Sequence, residues 1–425
     1  MSYLTILKTE TKNLHWTEKA GLLGLALMLA PIPINSGVSM FFMGLWIATI
    51  VLKNSLLKRW SFLGWHQDKN FHRSKGSLLM VAPMACYWLV YLLSMLWTEN
   101  KVEGWDDIAR LMLFMIIPLV FACTDFREVK KIHLRSILWL YVLLMPVLYM
   151  VFTGMDYYKT CWSTDYSLSW YLSEGIFNYL HHSYVAVFIL TGLVFLYTEL
   201  DGMFAEEKQE SSLLLIGIYT CLLLSFLFIV NSRAGTVCLL LLLLLCWLHQ
   251  AFVRKRIRLA LILMVLLPVL VTTVYFAQPK EYRRITTSIE QSLTGERTDA
   301  RIILFERSWS VFKDNMILGV GTGDRMDELD PLYKDKYGVP YGTLNSHNQY
   351  MDTSLSTGII GLTVLLLMLF VPMHYARKNK NFFFFSTILL FAVAIIFESM
   401  LERQMGVVYW TILLILTGTS KNIEN

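Results

Sequence analysis

Two apolar runs constrain this chain more than any other feature: CLLLLLLLCWL at residues 238–248 and LALILMVLLPVLVTTVYFA at 259–277. A helix rises about 1.5 Å per residue, so roughly 20 apolar residues cross the ~30 Å hydrocarbon core of a bilayer. The shortage of charge extends over the whole length. Of the 425 residues 16% are charged and 56% hydrophobic, with mean hydropathy +0.51, against about 25% charged in soluble domains. The chain reads as an all-α, polytopic membrane protein. It shows neither a fixed repeat nor a low-complexity linker, so residues 1–425 are expected to form a single membrane domain.

Hydropathy divides the chain into about twelve spans, near 19–35, 37–53, 77–97, 107–124, 136–152, 183–199, 212–230, 235–252, 259–277, 354–373, 382–399 and 406–418. The first is expected to be an uncleaved helix, because APIPIN has no small-x-small cleavage pattern and a second span follows at once. The longest polar segment, 278–353, falls between spans 9 and 10. Lysine and arginine concentrate in one set of loops, with KNSLLKRW and KNFHRSKG inside 53–76, REVKK at 127–131, RKRIR at 254–258 and RKNK at 377–380. The positive-inside rule puts this set in the cytoplasm. Both termini are then cytoplasmic, and 278–353 is expected to be an extracytoplasmic loop carrying part of the active site. The net charge of +5 is spread over short loops and gives no nucleic-acid signal. Chemistry on the outer face has no ATP to draw on, so a donor must arrive already activated.

Four outer-side segments carry candidate chemistry. In IVNSRAGTVCLLL (229–241), Arg233 interrupts apolar sequence at a hairpin. It reads either as an interfacial arginine reaching to the headgroups or as an anion clamp, since the guanidinium fork suits phosphate. In GERTDARIILFERSWSVFKDNMILGVGTGD (295–324), residues 299–313 predict an amphipathic helix, with Ile302, Phe305, Trp309 and Phe312 on one face. Arg297 and Arg301 share another face and Arg307 lies off that line, so they meet either lipid headgroups or a phosphate. GVGTGD lacks the GK[ST] ending of a nucleotide loop and predicts a tight turn. In NSHNQY (345–350), His347 sits among polar neighbours that can orient its ring, and a histidine is the natural base for a hydroxyl. His181 and His182 start a span from the same side. Arg110 lies one turn into another, where it pairs with Asp106 or faces the site of Arg233. No CxxC or Cys/His cluster marks a metal site or a disulfide framework.

The hairpin NSRAG, the helix ARIILF, the turn LGVGTGD and the loop SHNQY followed by GIIGL, in that order, resemble the O-antigen ligase and O-antigen polymerase family of polytopic GT-C-type glycosyltransferases. Ser232, Arg233, Ala234 and Gly235 match the family's Ser-Arg-small-Gly hairpin. Arg301 and Phe305 stand where the family has arginine and, four residues on, tryptophan, so the aromatic differs here. Gly319 and Gly321 match its Gly-x-Gly. His347, Asn348 and Tyr350 match its His-Asn-x-Tyr/Phe segment, with Gly358 and Gly361 following. The resemblance covers residues from near 183 to 373.

The resemblance implies a metal-independent, inverting enzyme without cofactor, active on the periplasmic face of a bacterial inner membrane. Its donor would be a glycan on undecaprenyl diphosphate. Arg233 and Arg301 would hold the diphosphate, His347 would act as base, and Arg110, His182, Asn348 and Arg307 would be accessory. With lipid A-core as acceptor the enzyme is a ligase in lipopolysaccharide biosynthesis. With a second lipid-linked repeat unit as acceptor it is a polymerase. A transporter, the third reading, would show inverted repeats and broken helices with charge at mid-depth.

Overall fold

A computed structural model describes residues 3–29, 35–59, 61–62, 65–66, 75–124, 126, 129–161, 181–206, 210–230, 232–262, 264–265, 300–329 and 345–420. The described residues are helical apart from connecting turns and loops and a two-residue antiparallel pair, Ser61–Phe62 with Trp65–His66. In chain order the helices are α1 (Tyr3–Lys12), α2 (Trp16–Leu29), α3 (Ser36–Leu56), α4 (Lys75–Ser94), α5 (Lys101–Arg110), α6 (Leu113–Cys123), α7 (Lys131–Cys161), α8 (His182–Glu206), α9 (Glu210–Val230), α10 (Arg233–Leu248), α11 (Ala300–Asp314), α12 (Gln349–Lys378), α13 (Phe382–Phe397) and α14 (Gln404–Ser420).

Six helical stretches among the described residues are long and apolar enough to cross a membrane: Ser36–Leu56, Lys131–Lys159, His182–Met203, Leu213–Val230, Arg233–Val253 and Gln349–Lys378. Three shorter apolar ones are Leu78–Ser94, Phe382–Phe397 and Gln404–Thr419. The segment expected as one span over 107–124 is two helices, because the chain turns at Leu111–Met112 between α5 and α6. The ninth expected span lies mostly outside the described residues. So do 278–299 and 330–344 of the long polar segment, with Arg297 among them.

The core forms around α8. Its apolar stretch is 78% buried, against 22% for the stretch in α9, so α8 is the central helix and α9 presents most of its surface outward. Lipid tails are as apolar as leucine, so helices in a bilayer associate through close packing more than through water exclusion. At the α9–α10 hairpin a side chain on Gly235 would come within 2.6 Å of the Ala186 methyl on α8. Large rings fill the remaining interior: Trp46, Tyr87, Phe114, Tyr141, Tyr184, Phe188, Phe391 and Trp410 are fully buried.

α12 starts five residues before the expected span, at Gln349, and it is interrupted at Gly358, whose φ of 65° is left-handed. The glycine-rich turn after α11 fills that break. Val320 N donates to Leu355 O at 2.8 Å, Gly321 N to Ser356 O at 3.1 Å, and Ile359 N to Met316 O at 2.8 Å. The expected tight turn is present, with φ of 71° at Gly319 and 118° at Gly321. A broken helix was the mark of a transporter, but here backbone of the same chain occupies the gap.

Helix α11 forms within one residue of its expected range, and its apolar face packs only in part. Leu304, Ser308, Val311 and Phe312 are buried, whereas Phe305 and Trp309 are exposed. With Leu329, Met351 and Leu355, the apolar members of that stripe make a second small core, which seats α11 on the start of α12.

Candidate active site

The start of α12 is shaped by local hydrogen bonds. Asn348 is the N-cap, in extended backbone, and its side chain accepts from Met351 N at 3.1 Å. Such a cap is worth about 1 kcal/mol. One residue earlier, His347 adopts a left-handed φ of 48°, which costs a non-glycine residue roughly 1–2 kcal/mol. The Asn345 side chain holds it there by accepting from His347 N at 3.1 Å. Ser346 N donates to Asp352 Oδ1 at 3.1 Å. The polar neighbours of His347 therefore fix its backbone and leave its ring to another partner.

That partner is Glu398, at the end of α13. His347 Nδ1 lies 3.4 Å from the Glu398 carboxylate, which is 3% exposed. His181 Nε2 also lies 3.4 Å from this carboxylate. Burial lowers the pKa of His181, and the nearby Glu398 only partly opposes it. His182 faces elsewhere, with its Nδ1 3.2 Å from the carbonyl of Val230 at the end of α9.

A second network runs behind this pair. Arg325 is 4% exposed; its guanidinium lies 2.5 Å from Glu402 and 3.4 Å from Asp107. Arg110 pairs with Asp107 at 2.7 Å and not with the expected Asp106. Both aspartates are helix neighbours of Arg110, but Asp107 is buried toward Arg325 whereas Asp106 is exposed. Asn345 Nδ2 donates to Glu402 at 2.6 Å. A continuous polar chain thus links Arg110, Asp107, Arg325, Glu402 and Asn345 to the backbone of His347. The hydroxyl of Ser399 donates to Asp352. With Asp352 and Asp107 close by, Glu402 is an acid among acids. Burial pushes its pKa up to about 8, although Arg325 works against this.

Arg233 opens α10 directly after Ser232, the N-cap, whose side chain accepts from Gly235 N at 3.1 Å. It is half-buried. The His182–Val230 contact puts the hairpin at the end of the bundle where α8 and α12 begin. Arg301 lies in the first turn of α11, and of it only the backbone is described. Arg307, further along α11, is half-buried. Among the described residues no group of three or more His, Cys, Asp or Glu side chains could hold a metal ion.

Sequence reading missed Glu398, Arg325 and Asp352. Each carried a signal: a carboxylate closing the apolar run FFFFSTILLFAVAIIFE, an arginine after GTGD, and an acid at the head of a span. Ionisable residues at such places are costly unless paired or functional.

A family model described as O-antigen ligase matches residues 218–366. That segment contains Arg233, Arg301, the glycine turn and His347, and it bears out the resemblance drawn from the motifs. The chain is also 24% identical over 306 residues to a Haemophilus influenzae protein named "Uncharacterized protein", covering 69% of this chain and 71% of that one.

Proposed function

From this O-antigen ligase-family segment, we propose that the chain is a glycosyltransferase that moves a glycan from undecaprenyl diphosphate to lipid A-core. The match supports an O-antigen ligase- or polymerase-type role; the acceptor is our reading. The observation that carries it is His347, capped into a left-handed turn inside the matched segment and set beside a buried carboxylate.

In this reading the protein crosses the bacterial inner membrane about twelve times, with both termini in the cytoplasm and residues 278–353 in the periplasm. Arg233 and Arg301 hold the diphosphate and stabilise the charge that develops as it leaves. Arg307 and His182 border the same end, and Asn348 holds the turn that presents His347. His347 accepts the proton of the acceptor hydroxyl as its oxygen attacks the anomeric carbon. The bond to the diphosphate breaks on the opposite side, so the configuration inverts. The reaction uses neither metal nor cofactor.

The glycolipid profile of a deletion strain tests this. A ligase predicts lipid A-core without long-chain polysaccharide and an accumulated lipid-linked polymer. Lipid A-core bearing single repeat units would assign the polymerase reaction instead. An unchanged profile would contradict both.

A further inference from the structure

Glu398 ends α13 in extended backbone, at φ −156° and ψ 141°, and its neighbours are held from two other helices. From α8, the Tyr184 hydroxyl donates to the carbonyls of Met400 at 3.1 Å and Ser399 at 3.4 Å. From α12, Gln349 Oε1 accepts from Leu401 N at 2.6 Å. These bonds hold the segment, and with it the Glu398 carboxylate, beside the two imidazoles.

A buried carboxylate is tolerated where donors surround it. A carboxylate only accepts, so a hydrogen bond from His347 to Glu398 needs the hydrogen on Nδ1, and the approach of His181 to the same carboxylate favours hydrogen on its Nε2. A neutral imidazole has one donor nitrogen and one acceptor. His347 with Nδ1–H keeps its lone pair on Nε2. His181 with Nε2–H keeps it on Nδ1, which is buried and makes no hydrogen bond among the described residues. Of the two rings, then, only His347 can offer its free nitrogen to a substrate. The 3.4 Å separations are long for a charge-assisted bond, as catalytic contacts often are before substrate binds.

We propose that Glu398, anchored by His181, is the positioning residue that fixes His347 as its Nδ1–H tautomer, with Nε2 left to accept the proton of the attacking hydroxyl. This rests on the reading of His347 as the acceptor-side base. As the new bond to the anomeric carbon forms, the glycosyl–phosphate bond breaks and its electron pair leaves with the diphosphate. The hydroxyl proton passes to Nε2, and the imidazolium so formed is paired with Glu398.

The test uses full-length purified protein with lipid-linked donor and acceptor. Glu398→Gln should lower kcat by at least about 10-fold, the scale of losing a group that orients a functional histidine, with donor affinity unchanged. In a His347→Ala background, Glu398→Gln should cost nothing more, because it acts through His347. Solid-state 15N spectra of histidine-labelled wild type, with His347 assigned by its loss in His347→Ala, should show protonated Nδ1 and bare Nε2. That measurement stands even if Glu398→Gln does not fold. An Nε2–H tautomer in wild type, full kcat in Glu398→Gln, or an equal loss in both backgrounds would overturn the inference alone. Full transfer by His347→Ala would overturn the functional reading, and this inference with it.

Discussion

The backbone N–H of Ile359 donates to the carbonyl of Met316 at 2.8 Å, across the break in α12. This bond and its two neighbours tie the segment that carries Arg301 to the helix that begins just after His347. The break exists because Gly358 is glycine. A methyl there would sit 2.1 Å from Ile317 O, on backbone at φ 65°.

Gly358→Ala should therefore destabilise the protein by about 1–3 kcal/mol or more, the range for strained backbone and overpacking. The check is thermal unfolding in detergent. Gly217→Ala on α9 is the control, since nothing lies within 4 Å of its added methyl, and it should be neutral or slightly stabilising. Equal Tm values for Gly358→Ala and wild type would refute the docked-turn account.

Arg325 is a buried cation among these acids, so Arg325→Met should cost up to about 3–5 kcal/mol by removing its contacts to Glu402 and Asp107, of which Asp107 keeps Arg110. Glu402→Gln should cost much less, because glutamine resembles the protonated acid.

The same residue gives a pH dependence. Glu402 titrates near 8 in the fold, above the usual carboxylate range, so the folded state binds its proton more tightly than the unfolded chain. That stabilisation is complete below the unfolded pKa and is lost as pH rises through about 8. Wild type should lose more Tm than Glu402→Gln on going from pH 5 to pH 8. Parallel curves would show that Glu402 is ionised throughout.

Arg233→Ala and Arg301→Ala should each cut glycan transfer strongly while the protein still inserts. Lysine at either position should restore only part, because it lacks the bidentate fork. Normal transfer by purified variants would show that these arginines only reach to headgroups.

Reporter fusions after residues 65, 130, 256 and 379 should read cytoplasmic, and those near 160 and 330 should read outer, from the loop charges. A cytoplasmic signal at 330 would put His347 on the wrong side for a lipid-linked donor.

Much of this was legible from local sequence. The long apolar helices, the glycine turn and α11 all follow from patterns within a few residues. What sequence could not supply was pairing at a distance. Glu398 reaches His347 and His181 only because α8, α12 and α13 meet at one end of the bundle. Arg325 gains its meaning from Asp107 and Glu402, which lie far from it along the chain. The packing of α11 could not be read from its apolar face alone. Of its apolar face Phe312 is buried whereas Phe305 and Trp309 are exposed, so apolar periodicity does not by itself mark the side that packs. Gly358 stands in sequence as a glycine following the His347 segment, but its role as a helix break shows only once the turn from 316–321 is seen lying against it.

The most direct test of the central claim is glycan transfer by purified His347→Ala with lipid-linked donor, measured beside donor affinity. The account predicts transfer reduced by about 10²–10⁴-fold, the range for losing a general base, and donor affinity close to wild type. Wild-type transfer by this variant, or loss of donor binding in step with transfer, would contradict it.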